Sequence, residues 1–320
     1  MSYRFSVILP VYNKAPYVAK AIRSVLSQTC QDFELIVVDD GSKDDSAAIA
    51  EVLLQQCDVR KCRLLRQSNA GVSTARNNGV AASQGEYLCF LDADDWWKPT
   101  FLEEMKRLIE EFPQAGIYGA GYTIVNDTKR KTRIAPIGVE PDFVKGEINY
   151  CKVYAKTLCM PLTSISVAVP RWVFEEMNGF KPQLKLGEDF DLWIRIALKY
   201  KVILLNKPLA YYNQDADAQN RAVGTRLYKP EEHMLFTDYG NFMNNPDFRF
   251  LFERLALYGL LPYYLNNVNS QEITKILDKI DWSRHEQKYR FYYRIVPRSI
   301  VKIWFLILRK LSNLKNKIKL

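Results

Sequence analysis

Tyr87-Leu88-Cys89-Phe90-Leu91-Asp92-Ala93-Asp94-Asp95 is a short apolar run that empties into three carboxylates. A run of this length without polar alternation suits a strand buried on both faces, as in parallel sheets covered by helices. The same plan repeats upstream. Apolar segments at Phe5 to Val11, Phe33 to Val38 and Cys62 to Arg66 read as strands, and amphipathic stretches between them predict helices over Ala15 to Ser27, Lys43 to Gln56 and Val72 to Ala82. Another helix is predicted from Pro99, a favoured first helical residue, to about Glu111. Right-handed crossovers would set the strand C-termini along one edge, where open α/β sheets bind ligands. Asp39 to Ser42 and Asp92 to Asp95 both fall at such ends.

Downstream the pattern loosens. Gly116 to Val125 reads as a strand pair and Lys129 to Arg133 as a charged turn, followed by mixed sequence to residue 170. A helix is predicted over Glu188 to Lys199, then short strands at Val202 to Leu205 and Leu209 to Asn213. From Pro230 the pattern turns helical, and the aromatic-rich Phe248 to Tyr264 suits a dimer face as readily as an internal core. The expected organisation is an α/β domain at 1–225, in two halves of about 1–115 and about 116–225. A helical extension at 226–320 follows it.

With 320 residues, 48% of them hydrophobic, the chain can bury a large core. The six cysteines show no CxxC spacing, and the absence of a secretory leader points to a reducing cytoplasm. His233 and His285 lack neighbours at zinc spacing, so a metal here is a hard cation on carboxylates. The net charge of +9 is concentrated: residues 288–320 hold ten Lys or Arg and no Asp or Glu. In that tail the basic residues alternate with aromatic and aliphatic ones, including Phe291, Ile300, Ile303 and Trp304. This argues against a nucleic-acid partner. It suits either a helix resting on anionic lipid, peripheral to the inner face of the cytoplasmic membrane, or a helix packed on the body. Its uninterrupted apolar piece, Ile303 to Leu308, is too short to span a bilayer.

Three carboxylates within Asp92 to Asp95 repel one another, and a divalent cation relieves that repulsion. Mg²⁺ or Mn²⁺ takes only one or two protein carboxylates and fills its remaining positions with water and phosphate oxygens, so it can bridge a diphosphate. The competing reading is that Asp94 or Asp95 caps the next helix. Asp39-Asp40-Gly41-Ser42 is an ordinary turn sequence, yet a carboxylate there could accept a pyrimidine N3 hydrogen while Pro10, Val11 and Tyr12 flank the base. Two asparagines and a glycine lower helix propensity in Ala75-Arg76-Asn77-Asn78-Gly79, and Arg76 suits a phosphate or base unless it is a solvated charge. Gly187-Glu188-Asp189-Phe190-Asp191-Leu192-Trp193 opens a helix with three acids, which the helix dipole favours on structural grounds alone. Those acids are also the natural source of a general base in a chain with two histidines.

VILPVYN at Val7 to Asn13, VDDGS at Val38 to Ser42, ARNNG at Ala75 to Gly79, FLDADD at Phe90 to Asp95 and GEDFDLW at Gly187 to Trp193 resemble glycosyltransferase family 2 in kind, order and approximate spacing. The resemblance covers roughly the first 215 residues. It implies a GT-A fold, a Rossmann-like mostly parallel sheet flanked by helices. It also implies inverting transfer of a sugar from a nucleoside diphosphate donor, by default a UDP-sugar, with Mn²⁺ or Mg²⁺ as cofactor. Carried over by position, Asp40 would contact the base and Arg76 the base or phosphate, with Pro10, Val11 and Tyr12 lining the nucleoside pocket. Asp92 and Ala93 would border the donor, and Asp94, the last acid of the DxD motif, would be the principal metal ligand beside Asp92. Asp189 would be the general base, with Glu188 and Asp191 as alternatives, and Asp191 and Trp193 could shape the acceptor site, Trp193 at its helical spacing being as easily a core residue. The QxxRW motif of processive synthases is absent, which favours single-sugar addition, and bacterial members of this type build surface polysaccharide on glycan or lipid-linked glycan acceptors. A nucleotidyltransferase would carry a Gly-rich loop after the first strand, whereas this chain has Pro10-Val11-Tyr12-Asn13-Lys14. An inactive scaffold that kept the fold would have no need of Asp92, Asp94 and Asp189 together.

Overall fold

The structure is a computed structural model that describes residues 4–58, 61–126, 128, 130–215 and 227–318, with the side chains of 309–318 outside that description. The chain divides into two compact units, Met1–Gly224 and Thr225–Leu320. The division itself, like Lys129 and the last basic side chains of the tail, lies outside the described residues.

The first unit runs β1 (Phe5–Val11), α1 (Val18–Leu26), β2 (Phe33–Asp39), α2 (Ser46–Leu54), β3 (Cys62–Arg66), α3 (Val72–Ala81), β4 (Tyr87–Phe90), β5 (Trp96–Trp97) and α4 (Phe101–Glu111). It continues through β6 (Ile117–Asn126), β7 (Lys131–Ile134), β8 (Lys145–Ile148), α5 (Tyr150–Thr157), β9 (Val167–Pro170), α6 (Arg171–Glu176), α7 (Glu188–Ala197) and β10 (Val202–Asn213). Sheet order is β3-β2-β1-β4-β9-β6-β10-β5, with β7 on β6 and β8 on β10. Every residue of β1 and β2 is buried, including Ser6 and Glu34, whose side chains pair at 2.7 Å, as suits strands covered by helices on both faces.

β1 pairs in parallel with β2 and β4, and β2 with β3. β9 is antiparallel to both β4 and β6, so β6 and its parallel partner β10 run in the same sense as the first four. Their C-terminal ends therefore share one edge. The register sets Val11 opposite Asp39, and Asp39 opposite Arg66, at that edge.

Two expectations are corrected. The segment Gly116 to Val125 is not a strand pair: from Ile117 on it lies in one strand, β6, and the segment read as a charged turn is largely its partner β7. The glycines of β6 mark close approaches rather than a turn: a Cβ on Gly119 would lie 2.0 Å from Leu162 Cδ2, and one on Gly121 would lie 3.2 Å from the Lys207 carbonyl. The two short strands after residue 202 are likewise one strand, β10, with register shifts on either side of Pro208. Proline donates no ladder hydrogen bond, and the irregularity absorbs it without ending the strand.

The second unit is helical, with α8 (Pro246–Gly259), α9 (Leu261–Asn266), α10 (Ser270–Leu277), α11 (Gln287–Arg290) and α12 (Arg298–Ile318). Asn245 caps α8 by accepting from the Asp247 and Phe248 amides, and Pro246 fits the first helical position. Phe248, Leu251, Phe252, Ala256, Leu257 and Tyr263 are buried, so most of the aromatic-rich segment is core, with Tyr258 exposed. Glu253 is buried with His285 Nε2 at 2.8 Å and Arg249 Nε at 3.0 Å, a paired charge that ties α8 to the segment before α11. The tail is not uniform. Tyr293 is buried and donates to the Leu257 carbonyl at 2.9 Å, so the tail's first part belongs to the core. In α12, Ile300, Ile303, Trp304, Leu306, Ile307 and Leu308 are exposed. No helix among the described residues is long and apolar enough to cross a membrane.

Candidate active site

β4 ends at Phe90, the Leu91 amide still bonds the Ile8 carbonyl at 3.0 Å, and the chain then turns through Asp92 to Asp95. Asp95 points inward. Its Oδ1 accepts from the Asn213 amide at 2.7 Å, which ties the acidic turn to the end of β10, while Oδ2 has no partner among the described residues. Burial first, then the charges of Asp94 and Asp92, push its carboxyl well above the usual carboxylate range. Asp95 is thus a structural member of the cluster, and Asp92 and Asp94 are the two acids left to face the edge.

Arg76 organises the centre. Its side chain is 3% exposed on α3, with Nη2 2.7 Å from Asp92 and 3.2 Å from Ser164 Oγ, Nη1 3.0 Å from Glu188, and the guanidinium 5.2 Å from the Phe180 ring centroid. Burial alone would weaken its charge, but Asp92 and Glu188 outweigh that and raise its pKa. The rest of the motif fixes the position of α3. Asn77 clamps Phe180, donating to its carbonyl at 2.8 Å and accepting from its amide at 3.1 Å. Asn78 donates to Gln67 at 2.8 Å, and a Cβ on Gly79 would lie 2.5 Å from Ile8 Cγ2, so the glycine lets α3 lie close on β1. The poor helix propensity of Asn77-Asn78-Gly79 is the cost of these contacts.

At the end of β2 the Asp40 carboxylate is 3% exposed and accepts from Gln67 (2.8 Å), Asn69 (3.3 Å) and the amides of Ala70 (2.8 Å) and Gly71 (2.9 Å). Both oxygens therefore hold the 67–71 loop, and a base N–H would share them rather than find them free. Asp39 beside it accepts from the Ser42 amide at 3.2 Å. Pro10 and Val11 are buried in the ladder, Ala93 is buried, and Tyr12 stands 42% exposed where a planar ring can meet it.

α7 begins after Gly187, whose φ of 80° lies in the left-handed region that glycine adopts without strain. Two of its expected roles are corrected. Asp191 is fully buried between Lys181 Nζ at 2.8 Å and Arg195 Nη2 at 2.8 Å, so both oxygens are taken up in ion pairs and it neither accepts a substrate proton nor shapes an acceptor site. Trp193 is fully buried, 5.9 Å from the Phe180 ring, and is core. Asp189 differs. It is half-buried, and among the described residues its carboxylate takes only the Phe190 amide, at 2.8 Å. Burial, with Glu188 adding to it and Arg76 opposing, pushes its pKa up to about 7. Tyr150 and Tyr154 of α5 lie behind it, Tyr154 edge-on to Phe190 at 5.7 Å and Tyr150 with its hydroxyl unpartnered among the described residues.

Sequence reading missed Lys14 and Ser164. Lys14 Nζ lies 2.7 Å from Asp94 Oδ2, and Ser164 touches both Arg76 and Asp92. Lys14 had a signal, its place directly after the first strand end, whereas Ser164 sits in mixed sequence with no local pattern. Among the described residues no group of three His, Cys, Asp or Glu could cage a metal. Asp92 and Asp94 offer an all-oxygen, two-carboxylate set, which fits Mg²⁺ or Mn²⁺ completed by water and phosphate and does not fit a site built for zinc.

A family model for glycosyl transferase family 2 matches residues 6–163. A glycosyltransferase of Nostoc is 33% identical over 211 residues, covering 65% of this chain and 64% of that protein. The glycosyltransferase GlyA of Streptococcus pneumoniae is 31% identical over 65% of this chain, which spans 30% of its length. The chain thus spans under two thirds of these relatives. Residues 1–349 of TarS from S. aureus superpose with a TM-score of 0.64 at 20% identity, over 86% of this chain and 78% of that one. The same TarS fragment with UDP bound gives 0.57 at 19% identity, over 92% and 75%. This likeness shows the fold, a GT-A-type sheet flanked by helices. The order of the five motifs, the matching family model and the glycosyltransferase relatives all agree, and the chain carries a glycosyltransferase family 2 domain over residues 6–163.

Proposed function

We propose that this protein transfers one sugar from a nucleoside diphosphate donor to an acceptor hydroxyl with inversion. The observation that carries the reading is Asp189, a half-buried carboxylate with a pKa near 7, joined through Glu188 and Arg76 to Asp92 at the strand-end edge. A base poised near the working pH is half available and still strong. Asp189 would take the proton of the acceptor hydroxyl as its oxygen attacks the anomeric carbon. The bond from that carbon to the diphosphate oxygen breaks, and the nucleoside diphosphate leaves. Direct displacement from the opposite face inverts the anomeric centre.

Asp94, with Asp92, would hold a Mn²⁺ or Mg²⁺ ion, which when bound neutralises charge on the leaving diphosphate. Arg76 pairs with Asp92 and Glu188 and orients both. Tyr12, with the buried wall of Pro10 and Val11, would border the base, and Asp40 would act chiefly by shaping the 67–71 loop. UDP is the expected nucleotide, supported by the fold shared with the UDP-bound and UDP-GlcNAc-bound TarS fragments. Calorimetric titration of UDP, GDP and dTDP, each with Mn²⁺ and again with a chelator, tests the donor site. Metal-dependent binding of one nucleotide is expected, and no binding of any of them sinks the reading. Asp94→Ala should weaken metal-dependent nucleotide binding by about tenfold to a hundredfold. Unchanged affinity would remove Asp94 from the metal.

The acceptor is proposed to be a glycan or lipid-linked glycan in surface-polysaccharide assembly, met at the cytoplasmic face of the membrane. The exposed apolar residues of α12 among its basic ones support peripheral attachment to anionic lipid. Replacing both Ile303 and Trp304 by Glu should lower partitioning onto anionic vesicles by about tenfold or more, because two large side chains lose their apolar burial and gain repulsion. Sedimentation with vesicles measures it. Undiminished binding would detach the membrane role from α12.

A further inference from the structure

The acids at the strand-end edge are neutralised in two different ways. Asp92 and Glu188 are held by Arg76, whose buried guanidinium is also fixed by Ser164 and covers Phe180. Asp94 is held by Lys14 alone among the described residues, Nζ to Oδ2 at 2.7 Å, and the two side chains are 22% and 19% exposed. The backbone that carries Lys14 is pinned. Its amide donates to Ser46 Oγ at 2.7 Å, the Asn13 amide to Ser42 Oγ at 3.1 Å and the Ala15 amide to Asp44 at 3.0 Å. Its four-carbon stem, by contrast, can swing an ammonium between partners with no backbone change. Asp94 is therefore the one acid of this group that a single rotamer change sets free.

We propose that Lys14 is a place-holding cation: it occupies Asp94 in the free protein, gives that carboxylate up to a divalent ion as the donor arrives, and then binds the donor's diphosphate. The inference rests on the donor-site reading above and adds to it a binding residue with two alternating partners. Charge supports it. The diphosphate gains a negative charge as its bond to the sugar breaks and then carries more than one divalent ion neutralises, and the released ammonium supplies the remainder from a position already within reach of the metal ligand. Without the substrate, the same ammonium neutralises Asp94 and lessens its repulsion from Asp92.

The two roles predict effects of opposite sign. Lys14→Met keeps the apolar stem and removes the charge. It should bind Mn²⁺ alone about threefold more tightly, read by electron paramagnetic resonance, because the competing ammonium is gone. It should bind UDP in saturating Mn²⁺ about tenfold more weakly, read by calorimetry, because a charge-assisted contact to phosphate is lost. Lys14→Arg, which keeps the charge, should retain UDP affinity within about threefold of wild type and so separates charge loss from misfolding. If Lys14→Met leaves both affinities unchanged, or weakens Mn²⁺ and UDP together, Lys14 is only a structural partner of Asp94 and the inference falls. A wild-type protein that binds no nucleotide at all fails the donor site itself, a result distinct from a wild type that binds and a Lys14→Met variant that binds equally well.

Discussion

Asp189→Asn is expected to lower kcat by about a thousandfold or more while leaving metal-dependent UDP affinity within about threefold, because it removes only the proton acceptor. In the wild type the transfer rate should climb with pH through about 7, the point to which burial and Glu188 push the Asp189 carboxyl, since only the ionised form takes a proton. The sign for stability is opposite. A carboxyl whose folded pKa lies above its unfolded value favours the protonated native state. Its contribution is present below the unfolded pKa and is lost as pH rises through the folded value near 7. Asparagine carries no charge to bury, so the variant should melt at a higher temperature than wild type at pH 8 while having lost transfer. A group that only begins a helix would show neither the lost activity nor this trade. Normal turnover in Asp189→Asn would move the base to Glu188.

Local patterns in the sequence carry the first half of the sheet well. β1 and β3 span the segments read as strands, and the acidic turn at Asp92 to Asp95 follows β4 as expected, because each depends on neighbouring residues only. The strand β6 misled through Gly119 and Gly121. Glycine is ordinarily punctuation, and here each instead admits a partner distant in sequence, Leu162 and Lys207. The acids of α7 are separable only in three dimensions. Asp189 and Asp191 are about 200° apart around the helix, so one faces the edge while the other is buried between Lys181 and Arg195. Lys14 with Asp94, and Arg76 with Glu188, are 80 and 112 residues apart, and no periodicity or spacing announces such a pair.

Arg76→Met should destabilise the protein by about 3 kcal/mol, since it removes one partner from a buried ion-pair network and leaves Asp92 and Glu188 facing each other without a cation. Urea unfolding at pH 8 measures it. Lysine is a poor rescue there: its single ammonium cannot span Asp92 on one arm and Glu188 on the other as the guanidinium fork does, so Arg76→Lys should recover less than half of the loss. The same substitution tests the link to the base. Arg76 opposes the upward push on Asp189, so its removal should move the midpoint of the pH–rate profile above 7, in whatever activity the weakened protein retains. A lost midpoint shift with intact stability would mean that Arg76 acts on a bound donor alone. A shift accompanied by destabilisation would make Arg76 what its contacts describe, the residue through which the metal-side acids and the base hold each other's charge.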